Sequence, residues 1–500
     1  MAFKVYSQVK DIILTTINAK WIHPSLALRL LKANLGPLED RCEIIEFALR
    51  QPLAEKLEPF ISGCPRILGI SVSIWNHTAA LELLGELEKI WEIHDTKPVI
   101  ILGGPEVSHL PQDSRIFMFA DYVIRGEGET AFRALCETIM TERHICQPQF
   151  IAAENVDVSE IKSAYRLYTD EDIAGKLIYV EAGRGCPFNC EFCLSAVKGD
   201  ADTACAVREF PLEPFLAEMD ILVQRGVKTF KFLDRTFNIN VKRAIRIMEF
   251  FLEKIEERKT PLTVHFEMVP SLFPQELRET LTRFPPGTLR LEVGIQTLNP
   301  EVAARIGLPG RHGRHSQPSR HSLSSNCEKE LEALSFLREK TNAIIHADLI
   351  AGLPGENLVS FGKGFDRLWL TLSGTGCLSA APTVHPAGEH PRVEIQLGIL
   401  KLLPGAPISR HNEVWQMRYN PLPPYEIEET SAMSAGNIQR IKNFARFWEL
   451  IVNRGLINHK TKITFDDFLA LSDSLFARFG RNWGIDKKAL LEAVTDTWKH

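Results

Sequence analysis

Short apolar runs alternate with amphipathic stretches over the first 140 residues of the chain. The apolar runs predict strands at 9–17, 43–47, 66–74, 98–104 and 121–126, and the amphipathic stretches predict helices at 25–35 and 78–93. Several runs are apolar on both faces, which is typical of strands in a parallel sheet that helices cover on each side. Residues 1–140 are therefore predicted to form an α/β domain with a doubly wound sheet of flavodoxin-like or Rossmann-like type.

The alternation weakens over residues 141–175, which we interpret as a connector, and resumes over 176–405. Strands are predicted at 176–183, 227–234, 262–268, 288–297, 343–352 and 393–403, with helices at 242–259 and 328–342. Six strand–helix repeats predict a partial (β/α)6 barrel, in which chemistry is expected at the carboxyl ends of the strands.

Two inserts interrupt this barrel pattern, and a different pattern follows it. Residues 308–326 and 373–392 are rich in Arg, His, Ser, Gly and Pro, with little to bury, and predict surface loops. Residues 406–500 are predicted to form a small C-terminal helical region, because the stretches 437–455 and 486–500 carry amphipathic stripes.

Composition and charge narrow the class of protein. The chain has 500 residues, a formal net charge of −5 and 45% hydrophobic residues, which together indicate two or three globular domains and no general attraction for nucleic acid. No apolar run reaches the ~18 residues that a transmembrane helix needs, and the first residues lack a signal-peptide core. We therefore expect a cytoplasmic protein, in which thiols stay reduced.

Three of the ten cysteines are grouped: Cys186, Cys190 and Cys193. A structural zinc site would need a fourth ligand such as Cys205, but such sites favour paired CxxC units, and no second pair follows. Three thiolates also suit an iron–sulfur cluster in which one iron is left open. An open iron is able to chelate an amino acid through its amine and carboxylate.

The stretch GRGCPFNCEFCL, with Phe192 before the last cysteine and a predicted strand ahead of it, resembles the radical S-adenosylmethionine (radical SAM) superfamily. The resemblance implies a 4Fe–4S cluster whose fourth ligand is the methionine part of S-adenosylmethionine. Electron transfer from the reduced cluster would then break a C–S bond, normally giving methionine and a 5′-deoxyadenosyl radical. The missing fourth cysteine is then the feature that makes the site active.

Later segments resemble the superfamily's cofactor-binding strands: KFLDRTFN, HFEMVPSLF, LEVGIQT and HADLIAGLPGE. The first lacks the usual glycine pair that helps hold the methionine amine. The residues that the resemblance assigns to S-adenosylmethionine are Phe192, Asp234, Arg235, Thr236, Glu267, Glu292, Gln296, Asp348, Ile350, Gly352 and Pro354.

A doubly wound domain ahead of such a barrel resembles the cobalamin-binding subgroup with a C-terminal domain of unknown function, and ILGGPEVSH, RGEGE and YNPLPPYE match its landmarks. The residues implied to contact cobalamin are Ser71, Ser73, Gly103, Gly104, Pro105, Glu106, Val107, Arg125, Gly126, Glu127 and Gly128. The common Asp-x-His-x-x-Gly motif is absent, and the nearest histidine, His23, precedes Pro24 instead. We interpret this as cobalt with no protein histidine below it.

The pairing of two cofactor domains implies a cobalamin-dependent methyltransferase acting on a small molecule, with an electron donor such as flavodoxin or ferredoxin, in a monomer. Non-methylating chemistry remains an alternative: transfer of a 3-amino-3-carboxypropyl group, including to arsenic, or a radical rearrangement. A sensor or electron carrier would be expected to cap all four irons with cysteine, and modification of tRNA or protein usually brings a second cluster. Arg208, Tyr425 and Glu426 are possible substrate contacts that ion pairing and packing explain equally well.

Overall fold

A computed structural model describes the chain over residues 10–61, 64–94, 96–141, 149–196, 207–258, 261–308, 320–374, 392–457 and 463–498. Most of both inserts (309–319 and 375–391), Cys205 and the rest of 197–206 lie outside these ranges.

The first sheet has six strands: β1 (Ile12–Asn18), β2 (Cys42–Ala48), β3 (Ile67–Ser71), β4 (Val99–Gly103), β5 (Tyr122–Arg125) and β6 (Gln149–Ala152). Their order is β2-β1-β3-β4-β5-β6, and every recorded pairing is parallel. The flanking helices are α1 (Leu26–Ala33), α2 (Leu53–Ile61), α3 (His77–His94) and α4 (Gly128–Thr141). The doubly wound prediction is confirmed, and the order is that of flavodoxin-like sheets, with a switch point between β1 and β3.

Two apolar cores lie against this sheet, because both faces of β1, β3 and β4 are apolar. Ile13, Leu68 and Leu102 pack in one core, while Ile12, Leu14 and Ile101 pack in the other. β6 was not predicted, since Gln149–Ala152 falls in the segment interpreted as a connector. It extends the sheet as an edge strand paired with β5.

The next elements are α5 (Asp170–Gly175), β7 (Ile178–Val180), β8 (Gly183–Arg184), β9 (Arg208–Glu209), α6 (Leu212–Gln224), β10 (Thr229–Phe232), α7 (Val241–Glu257), β11 (Thr263–Met268), α8 (Gln275–Thr282), β12 (Leu289–Gln296), α9 (Pro300–Arg305), α10 (Arg320–Lys340), β13 (Ile344–Ala351), α11 (Leu358–Ser373) and β14 (Val393–Ile399). The second sheet has the order β14-β13-β12-β11-β10-β7, so all six predicted strands are present. The recorded pairings of β11 to β14 are parallel. Helix α10 begins at Arg320, inside a segment that was predicted to be a loop.

The C-terminal region contains β15 (Arg418–Tyr419), β16 (Ile427–Glu429), α12 (Ala435–Trp448), α13 (Phe465–Phe479) and α14 (Lys487–Trp498), with a π-helical turn over Glu449–Asn453. The helices of this region begin at Ala435, whereas residues 406–434 contain a 3₁₀ turn over Pro407–His411 and the antiparallel pair of β15 and β16. Pro421, Pro423 and Pro424 lie between those strands, and proline cannot continue a helix. An aromatic core of Phe365, Phe444, Trp448, Phe465 and Phe468 holds α11, α12 and α13 together.

The chain divides into two compact units. The first comprises Met1–Arg184, Arg208–Lys231 and Leu403–Gly405, and the second comprises Gly185–Val207, Phe232–Leu402 and Ala406–His500. The boundaries at 140, 175 and 405 stay predictions. Within the described ranges, no helix is both long and apolar enough to span a membrane.

Candidate functional site

Cys186, Cys190 and Cys193 line one wall of a cavity of about 190 Å³ in the second unit. Tight turns shape their loop: the Cys193 amide donates to the Cys190 carbonyl at 2.9 Å, and the Ala196 amide donates to the Cys193 carbonyl at 3.1 Å. All three are free cysteines, and no other described cysteine lines the cavity. The loop therefore presents three sulfur ligands to one space.

Residues on β11, β12 and β13, and in the turn that follows β10, line the rest of this cavity. Seven of the residues assigned to S-adenosylmethionine line the same cavity as the cysteines: Phe192, Arg235, Thr236, Glu267, Glu292, Gln296 and Asp348. The structure thus brings together residues from five separate segments of the sequence. Their contacts with the cofactor stay a prediction.

Four of the predicted residues do not line this cavity: Asp234, Ile350, Gly352 and Pro354. Gly352 has φ +88°, and a Cβ added to it would lie 2.5 Å from Ile427 Cγ2, so packing against the C-terminal region accounts for this glycine. The Pro354 carbonyl accepts a hydrogen bond of 2.5 Å from Arg305 Nη1. These two residues shape the turn after β13.

Histidines pair with two of the cavity carboxylates. His265 Nε2 lies 3.2 Å from Glu292 Oε2, and His346 Nε2 lies 3.1 Å from Asp348 Oδ1. Burial lowers the pKa of His346, but Asp348, Glu292 and Glu394 outweigh burial and raise this pKa above its ordinary value. The wall is therefore rich in carboxylate, which suits a sulfonium and an ammonium group.

The two histidines were missed from the sequence, although a signal was present. His265 precedes Glu267 by two residues on β11, and His346 precedes Asp348 by two residues on β13. Side chains two apart on a strand lie on the same face. The strings HFE and HAD therefore place each histidine on the carboxylate's face.

Gln296 reaches the cavity from an unusual backbone conformation. Its φ is +64°, the Thr297 amide donates to the Ile295 carbonyl at 2.7 Å, and the pairing of β12 with β13 shifts register between Gly294 and Gln296. A Cβ added to Gly294 would lie 2.6 Å from Gln296 Nε2, so the glutamine side chain folds back over this glycine. A positive φ at a non-glycine residue in a cavity wall is typical of functional sites.

The pKa values of the cysteine thiols indicate whether this site suits a metal cluster. Burial raises the pKa of the Cys190 thiol to about 12, and burial also raises that of Cys186, with Cys193 adding to both effects. Bare thiolates would therefore be unfavourable at neutral pH. Iron ions supply the positive charge that stabilises three neighbouring thiolates, so the donor set fits an iron–sulfur cluster.

The first unit offers a ligand edge where the carboxyl ends of β1, β3, β4 and β5 meet. Open α/β sheets bind ligands at this edge, beside the switch point. Gly103 is half-buried, and among the residues that the structure describes, a Cβ added to it would meet the Ile124 carbonyl alone, at 3.9 Å. This position therefore has room for the close approach of a flat ligand, which fits a corrin.

Backbone conformation and close packing against neighbouring carbonyl groups require glycine at positions 104 and 126. Gly104 has φ +105°, with Val72 O 2.6 Å from an added Cβ, and Gly126 has φ +101°, with Ala153 O at 2.8 Å. Ser108 Oγ donates to the Gly104 carbonyl at 2.9 Å and accepts from the Gly126 amide at 3.3 Å. Ser108 therefore joins the two glycine loops.

Other predicted cobalamin residues have partners within the first unit. The Ser73 amide donates to Asn76 Oδ1 at 2.8 Å, and the Ser71 carbonyl accepts from Thr16 Oγ1 at 2.9 Å. Glu106 is buried and lies 2.9 Å from His77 Nδ1. Pro105 is exposed, Val107 is in the core, and Gly128 begins α4.

Glu127 has protein partners that explain its presence in RGEGE. It accepts from Arg184 Nη1 at 3.3 Å, from Arg208 Nη1 at 3.0 Å and from the Val156 amide at 3.0 Å. Arg125 Nη2 donates to the Leu110 carbonyl at 2.7 Å. These contacts give Glu127 protein partners within the first unit, and its role toward cobalamin stays a prediction.

The remaining candidates also have partners. His23 Nδ1 lies 2.8 Å from the Tyr179 hydroxyl, and burial lowers the pKa of this histidine. Among the possible substrate contacts, Arg208 pairs with Glu127, and Glu426 Oε2 lies 2.8 Å from Lys442 Nζ.

Two protein families match the chain: the B12 binding domain over residues 12–136 and the radical SAM superfamily over residues 180–367. The chain is a radical SAM protein with a B12 binding domain. The cofactors of such a protein are cobalamin, a 4Fe–4S cluster and S-adenosylmethionine. The recognition made from the cysteine motif and the glycine loops is thus confirmed.

Two relatives illustrate the similarity of this radical SAM protein. An uncharacterised methyltransferase of Pyrococcus horikoshii is 31% identical over 202 residues, covering 37% of this chain and 42% of the relative. The cobalamin-dependent radical SAM methyltransferase TokK of Streptomyces tokunonensis is 22% identical over 388 residues, covering 72% of this chain and 50% of TokK. The chain spans half or less of each relative's length.

The fold also matches a solved structure. The cobalamin-dependent S-adenosylmethionine radical enzyme OxsB, with aqua-cobalamin and S-adenosylmethionine bound, aligns with a TM-score of 0.60 and 14% identity. The alignment covers 98% of this chain and 79% of OxsB. This likeness confirms the fold.

Proposed function

We propose that the protein is a cobalamin-dependent radical SAM methyltransferase that acts on a small molecule. The observation that carries the proposal is the cavity that three cysteines share with Glu267, Glu292 and Asp348, in a chain that also has a B12 binding domain. Neither feature alone separates this activity from other radical SAM chemistry.

Each group of residues has a distinct task in this proposal. The three cysteines would hold the cluster, while Glu292 and Asp348 would hold negative charge opposite the cationic part of S-adenosylmethionine. His265 and His346 orient those two carboxylates. When bound, the reduced cluster supplies the electron that breaks a C–S bond of S-adenosylmethionine, and cobalamin supplies the methyl carrier.

The overall reaction replaces a substrate C–H bond by a C–CH3 bond. In this balance, the methyl group would come from one S-adenosylmethionine, with S-adenosylhomocysteine as the product. The substrate hydrogen would be taken up in the reductive cleavage of a second, with methionine and 5′-deoxyadenosine as the products. The balance requires two electrons for each methyl group, so we propose a flavodoxin or ferredoxin as donor.

The relatives support methyl transfer, since the names of two of them state it. A further relative, 25% identical over 203 residues, is 2-(S-pantetheinyl)-carbapenam-3-carboxylate methyltransferase of Streptantibioticus cattleyicolor, whose name gives a small-molecule substrate. This supports a small molecule over tRNA or protein. We also propose that the chain works as a monomer in the cytoplasm.

The test uses full-length protein reconstituted anaerobically with iron and sulfide, with or without hydroxocobalamin, and supplied with S-adenosylmethionine and a strong reductant. Mass spectrometry is expected to find 5′-deoxyadenosine in both samples and additional S-adenosylhomocysteine only with cobalamin. 5′-Methylthioadenosine instead would indicate 3-amino-3-carboxypropyl transfer. 5′-Deoxyadenosine with no cobalamin-dependent S-adenosylhomocysteine would favour a rearrangement and contradict methyl transfer.

A further inference from the structure

Glu191 lies inside the cysteine motif, directly after Cys190 and two residues before Cys193. Its side chain is only 8% exposed, so a carboxylate is buried between two of the proposed cluster ligands. A buried carboxylate needs a compensating partner, and this need is greater beside thiolates, which carry the same charge.

The partners come from the 3₁₀ turn Pro407–His411, more than 200 residues later in the sequence. His411 Nε2 lies 2.8 Å from Glu191 Oε2, and Arg410 Nη2 donates to Glu191 Oε1. One cation and one imidazole thus bind the two oxygens of one carboxylate. We call Glu191, Arg410 and His411 the carboxylate clamp.

The backbone of Glu191 is held as firmly as its side chain. Its amide donates to the Ile306 carbonyl at 3.0 Å, and its carbonyl accepts from the Ile408 amide at 2.9 Å. Four hydrogen bonds from two distant segments therefore fix the residue between Cys190 and Phe192. This residue has no freedom to move without breaking them.

The clamp lies near enough to the thiols to affect them. Glu191 adjoins Cys190 in the sequence and is separated from Cys193 by Phe192 alone, so its charge belongs to the loop that carries the thiols. A cation bound to Glu191 therefore reduces the negative charge in this loop. Arg410 is suited to this task because a guanidinium stays protonated at every physiological pH.

We propose that Arg410 and His411 are positioning residues that hold Glu191, and through it the Cys186–Cys193 loop, in the shape that receives the iron–sulfur cluster. The proposal deepens the proposed function and rests on it for the cluster. The clamp itself is a property of the protein without cofactors. The proposal also gives the turn Pro407–His411, which follows the barrel, a role in the cluster site.

A charge effect follows from the same geometry. Removing Arg410 takes the guanidinium charge away from the Glu191 carboxylate, which then adds negative charge beside a cluster that itself gains negative charge on reduction. Reduction should then become harder, and the midpoint potential should become more negative. Glu191→Gln removes the opposing charge and should shift the potential the other way.

The experiment compares full-length Arg410→Gln, Arg410→Lys, His411→Ala, Glu191→Gln and the double variant Arg410→Gln/Glu191→Gln with wild type. Arg440→Gln is the matched control, because Arg440 forms an ion pair of 2.6 Å with Asp473 in the same C-terminal region and has no recorded contact with the cysteine loop. The first readout is hydrogen exchange of the Glu191, Cys193 and Ile408 amides in cluster-free protein. The second is the midpoint potential of the reconstituted cluster.

We expect Arg410→Gln and His411→Ala to speed exchange of these amides by about tenfold or more, which is the loss expected for one charged hydrogen bond. Arg410→Gln should lower the midpoint potential, the double variant should restore most of it, and Arg410→Lys should rescue both readouts. Amide exchange and potentials that match the Arg440→Gln control would overturn the clamp.

The two readouts also separate the clamp from the proposed function. Faster amide exchange in Arg410→Gln, together with no cluster in wild type, would support the clamp and contradict the cluster. A normal cluster in wild type, with amide exchange and potentials unchanged in every variant, would contradict the clamp alone.

Discussion

Thr297 Oγ1 donates a hydrogen bond of 2.7 Å to Oε1 of Glu356, a carboxyl that is 1% exposed. Thr297 follows Gln296 directly, so this bond anchors the turn that presents Gln296 to the cysteine cavity. Burial raises the pKa of Glu356 to about 7, and the Thr297 hydroxyl only partly opposes that rise. The carboxyl is therefore protonated over part of the physiological range.

This pairing predicts a pH-dependent stability. The pKa of Glu356 in the folded protein lies above the ordinary value of a glutamate. Its contribution to the free energy of unfolding is therefore fully present below that ordinary pKa and is lost as pH rises through about 7. The loss is on the order of 3 kcal/mol, at ~1.4 kcal/mol per pKa unit. Glu356→Gln stays neutral, so its Tm relative to wild type should rise between pH 5 and pH 8. A Tm difference that stays constant over this range would show that Glu356 does not titrate there.

Gly294→Ala tests whether the position of the Gln296 side chain matters for binding of S-adenosylmethionine. The added methyl group would meet the flexible end of Gln296 at 2.6 Å, so the glutamine should move while the sheet stays intact. We expect weaker binding of S-adenosylmethionine, by about tenfold, with a Tm within a few degrees of wild type, as a side-chain shift costs little stability. Isothermal titration of the anaerobic protein measures this affinity. Gln296→Ala should reproduce the loss, and wild-type affinity in both variants would exclude Gln296 as a contact.

Sequence patterns predicted the fold well where apolar positions repeat. Both faces of β3 and β4 are apolar, and the strict alternation in β12 marks a strand with one polar face. β6 was missed because Gln149–Ala152 is short and half-exposed, so it offers no periodic signal. The amphipathic stretches at 437–455 and 486–500 predict the C-terminal helices, but they give no signal for the strands β15 and β16 that precede them.

The sequence predicts the cysteines and carboxylates of the site, but it does not predict the residues that bind Glu191 and Glu127. Cys186, Cys190 and Cys193 share a local motif, and Glu267 and Asp348 lie in strands that the sequence predicts. The partners of Glu191 come from positions 410 and 411, and no local pattern connects residues so far apart in sequence. The RGEGE motif predicts Glu127 as a cobalamin contact, whereas its ion pairs with Arg184 and Arg208 depend on tertiary structure and have no signal in the sequence.

The ion pairs of Glu127 predict a defined stability cost. Burial raises the pKa of Glu127, but Arg208, the Val156 amide and Arg184 together lower it below its ordinary value. This stabilisation is therefore present above the ordinary pKa of a glutamate and is lost as the solution becomes more acidic. Glu127→Gln should cost about 1–3 kcal/mol at pH 7 and less at pH 4.

Urea unfolding at both pH values measures that cost. The matched control is Glu137→Gln, because Glu137 forms an exposed pair of 2.9 Å with Arg133 on α4 of the same unit. The control should stay within about 0.5 kcal/mol of wild type. Equal effects of the two variants would show that the Glu127 pairs add nothing beyond an exposed salt bridge.

Cys190→Ala separates the two cofactors. Cys190 is one of three ligands in a cavity of the second unit, so the variant should lose the cluster and all cleavage of S-adenosylmethionine while it still binds cobalamin. Iron analysis and the visible spectrum of bound cobalamin measure the two effects. Cys64→Ser, at an exposed cysteine outside the motif, should retain both cofactors. Loss of both cofactors in Cys190→Ala would indicate a misfolded chain.

The most direct test of the account is the electron paramagnetic resonance spectrum of the reduced, reconstituted protein with and without S-adenosylmethionine. We predict the signal of a 4Fe–4S cluster whose g-values change when S-adenosylmethionine is added, because the cofactor fills the coordination position that the three cysteines leave open. A cluster signal that S-adenosylmethionine leaves unchanged would contradict this account. Zinc in place of iron at the three cysteines would contradict it as well.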